Sequence, residues 1–133
     1  PCQFIFNEGN CRVGVLTDLG HISEHVRDRY HDCDLLMLEC NYDKEMLASG
    51  PYPAALKRRV GGNFGHLSND QAAELVGSLN LSRLQNLVIS HVSEKNNQPA
   101  LAKAALTRML CGWEGLLTLA SQAEGFGWID LTP

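Results

Sequence analysis

The chain has 133 residues, 44% of them hydrophobic and 20% charged, and a formal net charge of −4. That length fits one domain burying roughly two-thirds of its unfolded surface, and the composition excludes disordered and fibrous classes. No apolar run approaches the ~20 residues of a membrane span, so no membrane partner is expected. The acidic balance excludes a coat of basic surface but leaves room for a local basic patch. Five cysteines (2, 11, 33, 40 and 111) form no CxxC pair. Reduced thiols, and hence a cytoplasmic location, are the expectation.

In chain order, Pro1-Cys-Gln-Phe4 leads almost at once into an apolar run at residues 3–7. Termini are usually frayed and polar, so residues upstream of Pro1 are expected. A second run, Cys11–Leu16, follows Glu8-Gly-Asn10, which predicts a hairpin. Ser23 is placed to cap a helix reaching about His31, with Val26 and Tyr30 at i, i+4 spacing. Residues 34–38, apolar after Asp34 and with little alternation, have the pattern of a strand covered on both faces, and they end in Glu39. A short helix is predicted over 43–48, and another from Pro53 carrying Leu56, Lys57, Arg58 and Arg59.

Ser68-Asn-Asp-Gln71 reads as a capping box ahead of Ala72, Leu75, Val76 and Leu79. Residues 84–90 form another predicted strand, ending at His91 and a polar loop. Pro99 opens a helix with Leu101, Ala105, Leu106, Met109 and Leu110 facing a core. Residues 116–121 and 128–131 read as closing strands. Strands alternate with helices, so the class is α/β, a single domain spanning 1–133 with a hairpin at one end.

Three apolar runs end in an acid or a histidine: Asp18, Glu39 and His91. The carboxyl ends of strands form the binding crevice of an α/β sheet, so strands sharing a direction bring these three to one rim. His66 follows Gly65 just ahead of a helix N-terminus, where an anion is favoured. Carboxylate plus imidazole is a ligand set for zinc or manganese. Each strand-end acid, taken alone, is more often a solvated loop residue; the coincidence of three favours a site. The basic run Lys57-Arg58-Arg59 suits phosphate contacts, against the plainer account of a solvated helix face.

Other patterns carry less. His21-Ile-Ser-Glu-His25 matches an inverted zinc-peptidase motif, but Gly20 and the Ser23 cap put His21 ahead of the helix that motif needs. Cys40 has no base partner in view and reads as a small buried residue. Trp113 and Trp128 read as packing residues, and the glycines of "GGNFG" as turn formers, since GxxxxGK[ST] is absent.

The segments "VGVLTDLG", "LLMLECNYD", "YPAALKRRVGGNFGHLSNDQAAEL" and "LVISHVSEKNNQP" occur in an order that resembles the second half of a metallo-β-lactamase-fold hydrolase. The resemblance runs from residue 1 to about residue 131 and is nearest the YycJ-like subgroup, metal-dependent hydrolases linked to DNA exonuclease activity. It implies the C-terminal half of an αβ/βα sandwich, a mixed sheet with helices on one face.

The resemblance also implies two divalent ions, zinc or manganese, that activate a bridging water to hydroxide for attack on a phosphodiester. Asp18 would bridge the ions, His91 would be the last ligand of the second, and His66 would steady the scissile phosphate or leaving group. Glu39, Asn41 and Asp43 would lie behind the ligands. The H-x-H-x-D-H cluster of such enzymes occurs nowhere in the 133 residues. Of about six or seven family ligands this chain carries two. It is therefore expected to be inactive alone, completed by an N-terminal half in cis, with an apolar sheet surface left open. Such a surface predicts a homodimer. The alternative is a complete non-catalytic module that binds a partner through that face.

Overall fold

The computed structural model describes residues 2–132. Five strands form one sheet in sequence order: β1 (Phe4–Glu8), β2 (Cys11–Leu16), β3 (Leu35–Glu39), β4 (Asn86–Ser90) and β5 (Leu116–Leu119). β1 pairs antiparallel with β2, as the Glu8-Gly-Asn10 turn requires, and the remaining neighbours are parallel. Parallel neighbours need crossovers. The helices supply them: α1 (Glu24–Arg29) between β2 and β3, then α2 (Lys44–Ser49), α3 (Ala54–Val60) and α4 (Asn69–Ser78) before β4, and α5 (Pro99–Thr107) before β5.

The caps explain where the helices start. Ser23 Oγ accepts from Val26 N, Asp43 accepts from Glu45 N and Met46 N, and Ser68 with Gln71 forms a complete capping box. α4 and α5 pack on the sheet through Ala72, Leu75, Val76, Ala102, Ala105 and Leu106, against Leu16, Leu36, Leu38, Leu87 and Ile89. Each fully buried leucine of this layer stabilises the fold by roughly 1.5–3 kcal/mol.

Alternation sends the intervening residues to the other face. Val88 and Leu35 are buried there, but Phe4 and Phe6 are 51% and 57% exposed and stack on each other at 6.0 Å. Leu116 on the same face is 68% exposed. The sheet is thus mixed, with its helices packed on one face and a partly open apolar second face.

Several expectations need correction. Residues 128–131 are not a strand: the tail is held by the Gln85 side-chain amide, which donates to Thr132 O (2.7 Å) and accepts from Thr132 N (2.8 Å). A side chain thus takes the place of a strand ladder. Trp128 is fully exposed and packs on nothing, whereas Trp113 does pack and donates to Leu84 O at 2.7 Å. Leu101 on α5 and Met109 beyond its end are exposed, and Ala102 takes the buried position instead. The helix ends at Thr107, so its phase does not carry to Met109.

Candidate metal centre

The parallel direction of β2, β3 and β4 delivers Asp18, Glu39 and His91 to one edge of the sheet. Leu16, Leu38 and Ile89 are in register across the three strands, and Glu39 pairs with Ser90. Asp18 and His91 then turn the chain sharply, with φ of 58° and 52°. Few non-glycine residues enter the left-handed region, Asp and His more readily than most, and backbone strain of this kind collects at functional sites. Asn41 holds the second of these turns. Its side-chain amide donates to His91 O at 2.9 Å, while its carbonyl accepts from Ser93 N.

His66 reaches the same edge from the loop between α3 and α4. That loop lies backbone to backbone against the Asp18 loop. A Cβ on Gly20 would meet Gly62 O at 2.3 Å and Gly65 N at 2.6 Å, and one on Gly65 would meet Val60 O at 2.1 Å. Only glycine allows this approach. His66 N–H donates to Val60 O, which fixes the loop's exit.

Asp18, His66 and His91 can each offer a ligand atom with all three atoms within 4.8 Å of one another. Asp18 Oδ1 lies 3.7 Å from His66 Nδ1 and 3.9 Å from His91 Nδ1. The imidazole rings meet edge to face at 5.0 Å. Behind them is Glu39, wholly buried. Its Oε1 lies 2.6 Å from His66 Nδ1 and 3.0 Å from His91 Nδ1, and its Oε2 accepts from Leu19 N at 3.1 Å. A buried carboxylate needs such partners. The hydrogen bond to Glu39 raises the His91 pKa; burial opposes the rise, and the charges of Glu39 and Asp18 add to it.

The donor set suits a divalent transition metal: one exposed carboxylate and two imidazoles, both oriented by a buried acid. His66 Nδ1 is hydrogen-bonded to Glu39, and the Nδ1 atoms of both rings face the carboxylates of Asp18 and Glu39. Asp43 sits elsewhere, since its carboxylate caps α2. Lys57 Nζ donates to Ala48 O, closing the end of α2, whereas Arg58 and Arg59 are exposed and form no ion pair among the described residues. His21 and His25 are exposed, and His21 precedes α1. Cys40 is buried, and that burial pushes its thiol up to about 12, so it is inert as a nucleophile at neutral pH.

Sequence reasoning placed Glu39 on the rim and behind the ligands, but not its pairing with both imidazoles, which one strand-end acid cannot reveal. It also missed a buried amide pair, Asn69 with Asn97, bonded reciprocally at 2.9 and 2.8 Å. Asn97 Nδ2 additionally donates to Cys40 O, tying the polar loop after β4 to the end of β3.

A family model described as a β-lactamase superfamily domain matches residues 1–92. The chain belongs to the β-lactamase superfamily. Within it, the chain is 28% identical over 110 residues to an exodeoxyribonuclease YycJ of Bacillus anthracis, covering 83% of this chain and 42% of that protein. It is 33% identical over 110 residues to an exodeoxyribonuclease WalJ of Streptococcus pneumoniae serotype 2, covering 83% and 41%. These matches bear out the YycJ-like resemblance. The chain spans about two-fifths of the length of these curated relatives.

Solved structures of this superfamily fold agree with the architecture. The metallo-β-lactamase fold protein YhfI from Bacillus subtilis superimposes with a TM-score of 0.60 at 17% identity, covering 95% of this chain and 43% of that one. A diphosphatase from the PhnP family gives 0.52 at 16%, covering 96% and 38%. No helix among the described residues is long and apolar enough to cross a membrane.

Proposed function

We propose that this superfamily chain is part of a two-metal phosphodiesterase acting on nucleic acid. The observation that carries the reading is the convergence of Asp18, His66 and His91 around buried Glu39. The relatives named as exodeoxyribonucleases and the diphosphatase neighbour support a phosphate ester as substrate.

Asp18 and His91 would hold the ions, either zinc or manganese, with the remaining ligands coming from polypeptide outside these 133 residues. Bound divalent ions would polarise a water for in-line attack and offset charge on the phosphate. His66, its ring fixed by Glu39, would donate a hydrogen bond or a proton to the leaving oxygen. Arg58 and Arg59, on the helix whose exit leads to the His66 loop, would contact backbone phosphates without regard to sequence. Lys57 would add to the local positive potential while it closes α2. Asn41 and Asp43 would act at a distance, one by holding the His91 turn and the other by fixing α2.

The test is hydrolysis of end-labelled DNA by the full-length protein with added zinc or manganese. Asp18→Ala and His91→Ala should each lower turnover at least 100-fold. Near-normal turnover in either variant would remove that residue from the mechanism.

The open second face favours a second reading, in which these 133 residues bind a partner, or one another, through Phe4, Phe6 and Leu116. The same face would be covered in cis when the rest of the enzyme is present. Sedimentation of the 133-residue chain separates the cases. A dimer abolished by Phe4→Ser/Phe6→Ser supports self-association, and a stable monomer opposes it.

A further inference from the structure

Beside the candidate metal centre lies a cavity of about 350 Å³ whose lining includes His66, His91, Tyr52 and Lys95. Its volume is in the range of sites that bury a small organic ligand. Tyr52 sits in the loop between α2 and α3. Its half-buried ring rests against the Tyr42, Leu47 and Val60 cluster, and its hydroxyl has no hydrogen bond among the described residues. An aromatic ring supported by packed side chains and lining a cavity can serve as a stacking platform, because any base presents a π-face to it.

Lys95 is exposed and forms no ion pair among the described residues. Glu94 and His91 line both this cavity and a second one of about 530 Å³, but Lys95 lines only the smaller. Lys95 thus offsets Glu94 in the smaller cavity and offers a phosphate a cationic contact, whereas in the larger the acid stands alone.

We propose that the smaller cavity seats the nucleotide flanking the scissile phosphodiester, with its base stacked on Tyr52 and its other phosphate against Lys95. This rests on the phosphodiesterase reading of the centre itself. Because a stack accepts every base, the subsite gives affinity and position without sequence preference. The substrate class is single-stranded or frayed-end nucleic acid, since a paired base cannot leave its stack without cost.

The test is binding of a fluorescein-labelled single-stranded oligonucleotide to the full-length protein, followed by anisotropy in EDTA so that no turnover intervenes. Tyr52→Leu, which keeps apolar bulk but removes the planar face, should weaken binding about tenfold, and Tyr52→Phe should bind within about twofold of the unaltered protein. Lys95→Ala should lower the slope of log affinity against log salt by about 0.7. Unaltered binding in Tyr52→Leu, equal losses in the Leu and Phe variants, or an unchanged salt slope in Lys95→Ala would each overturn the assignment. Failure of the underlying reading looks different: the expected binding pattern would persist, but no metal would elicit cleavage.

Discussion

Glu39 Oε1 lies 2.6 Å from His66 Nδ1, inside a carboxylate that solvent does not reach. The same oxygen is 3.0 Å from His91 Nδ1, so one buried acid orients both imidazoles. Glu39→Gln keeps the shape but removes the charge, and its amide NH₂ replaces one acceptor oxygen with a donor. Groups that orient metal ligands typically change affinity or activity by 10–100-fold when altered. Glu39→Gln should therefore weaken zinc binding about 10–100-fold in a chelator competition with the full-length protein. Unchanged affinity would mean that the two histidines are positioned by other contacts.

Gly20 and the 62–65 loop approach too closely for any side chain between them. Gly20→Ala must push that loop, and His66 with it, away from Asp18, because the obstacles are backbone atoms. Overpacking of this kind costs about 1–3 kcal/mol. Thermal or denaturant unfolding of Gly20→Ala should show that loss, with zinc affinity falling as well. A variant as stable as the parent would show that the two loops are free to separate.

At the opposite end of the sheet, Asp34 is buried and paired with Arg83 at 2.9 Å. Burial alone would raise its pKa, but the Arg12 backbone N–H, the Arg83 guanidinium and the Gln85 amide together hold it below the ordinary value. A depressed carboxyl stabilises the fold above its unfolded pKa of about 3.9, and that contribution is lost as pH falls through the lower folded value. Chemical denaturation at a series of pH values should show stability falling below about pH 4. In Asp34→Asn that part of the acid dependence should shrink. An identical pH profile in the variant would remove Asp34 from acid unfolding.

How much of this was legible in the sequence depended on how local the signal was. Ser23 and Ser68 announced their helices because a cap is a contact within three or four residues of chain. The strand-end positions of Asp18 and His91 were legible because apolar runs stop abruptly there. Glu39 as a shared anchor was not, since its two partners lie 27 and 52 positions away along the chain and meet it only when β3 and β4 align. The role of Gln85 in holding the tail was hidden for the same reason, and a strand was read at 128–131 from apolar content alone. Tyr52, between Pro51 and Pro53, carried no signal in the sequence, and only the assembled α2–α3 corner brings it into the cavity lining.

The most direct measurement is anomalous diffraction from crystals of the full-length protein grown with zinc or manganese. The account predicts a peak within about 2.0–2.2 Å of an Asp18 carboxylate oxygen and of a His91 ring nitrogen, with Glu39 still hydrogen-bonded behind the rings. Metal bound elsewhere, with Asp18 and His91 free of it, would contradict the account.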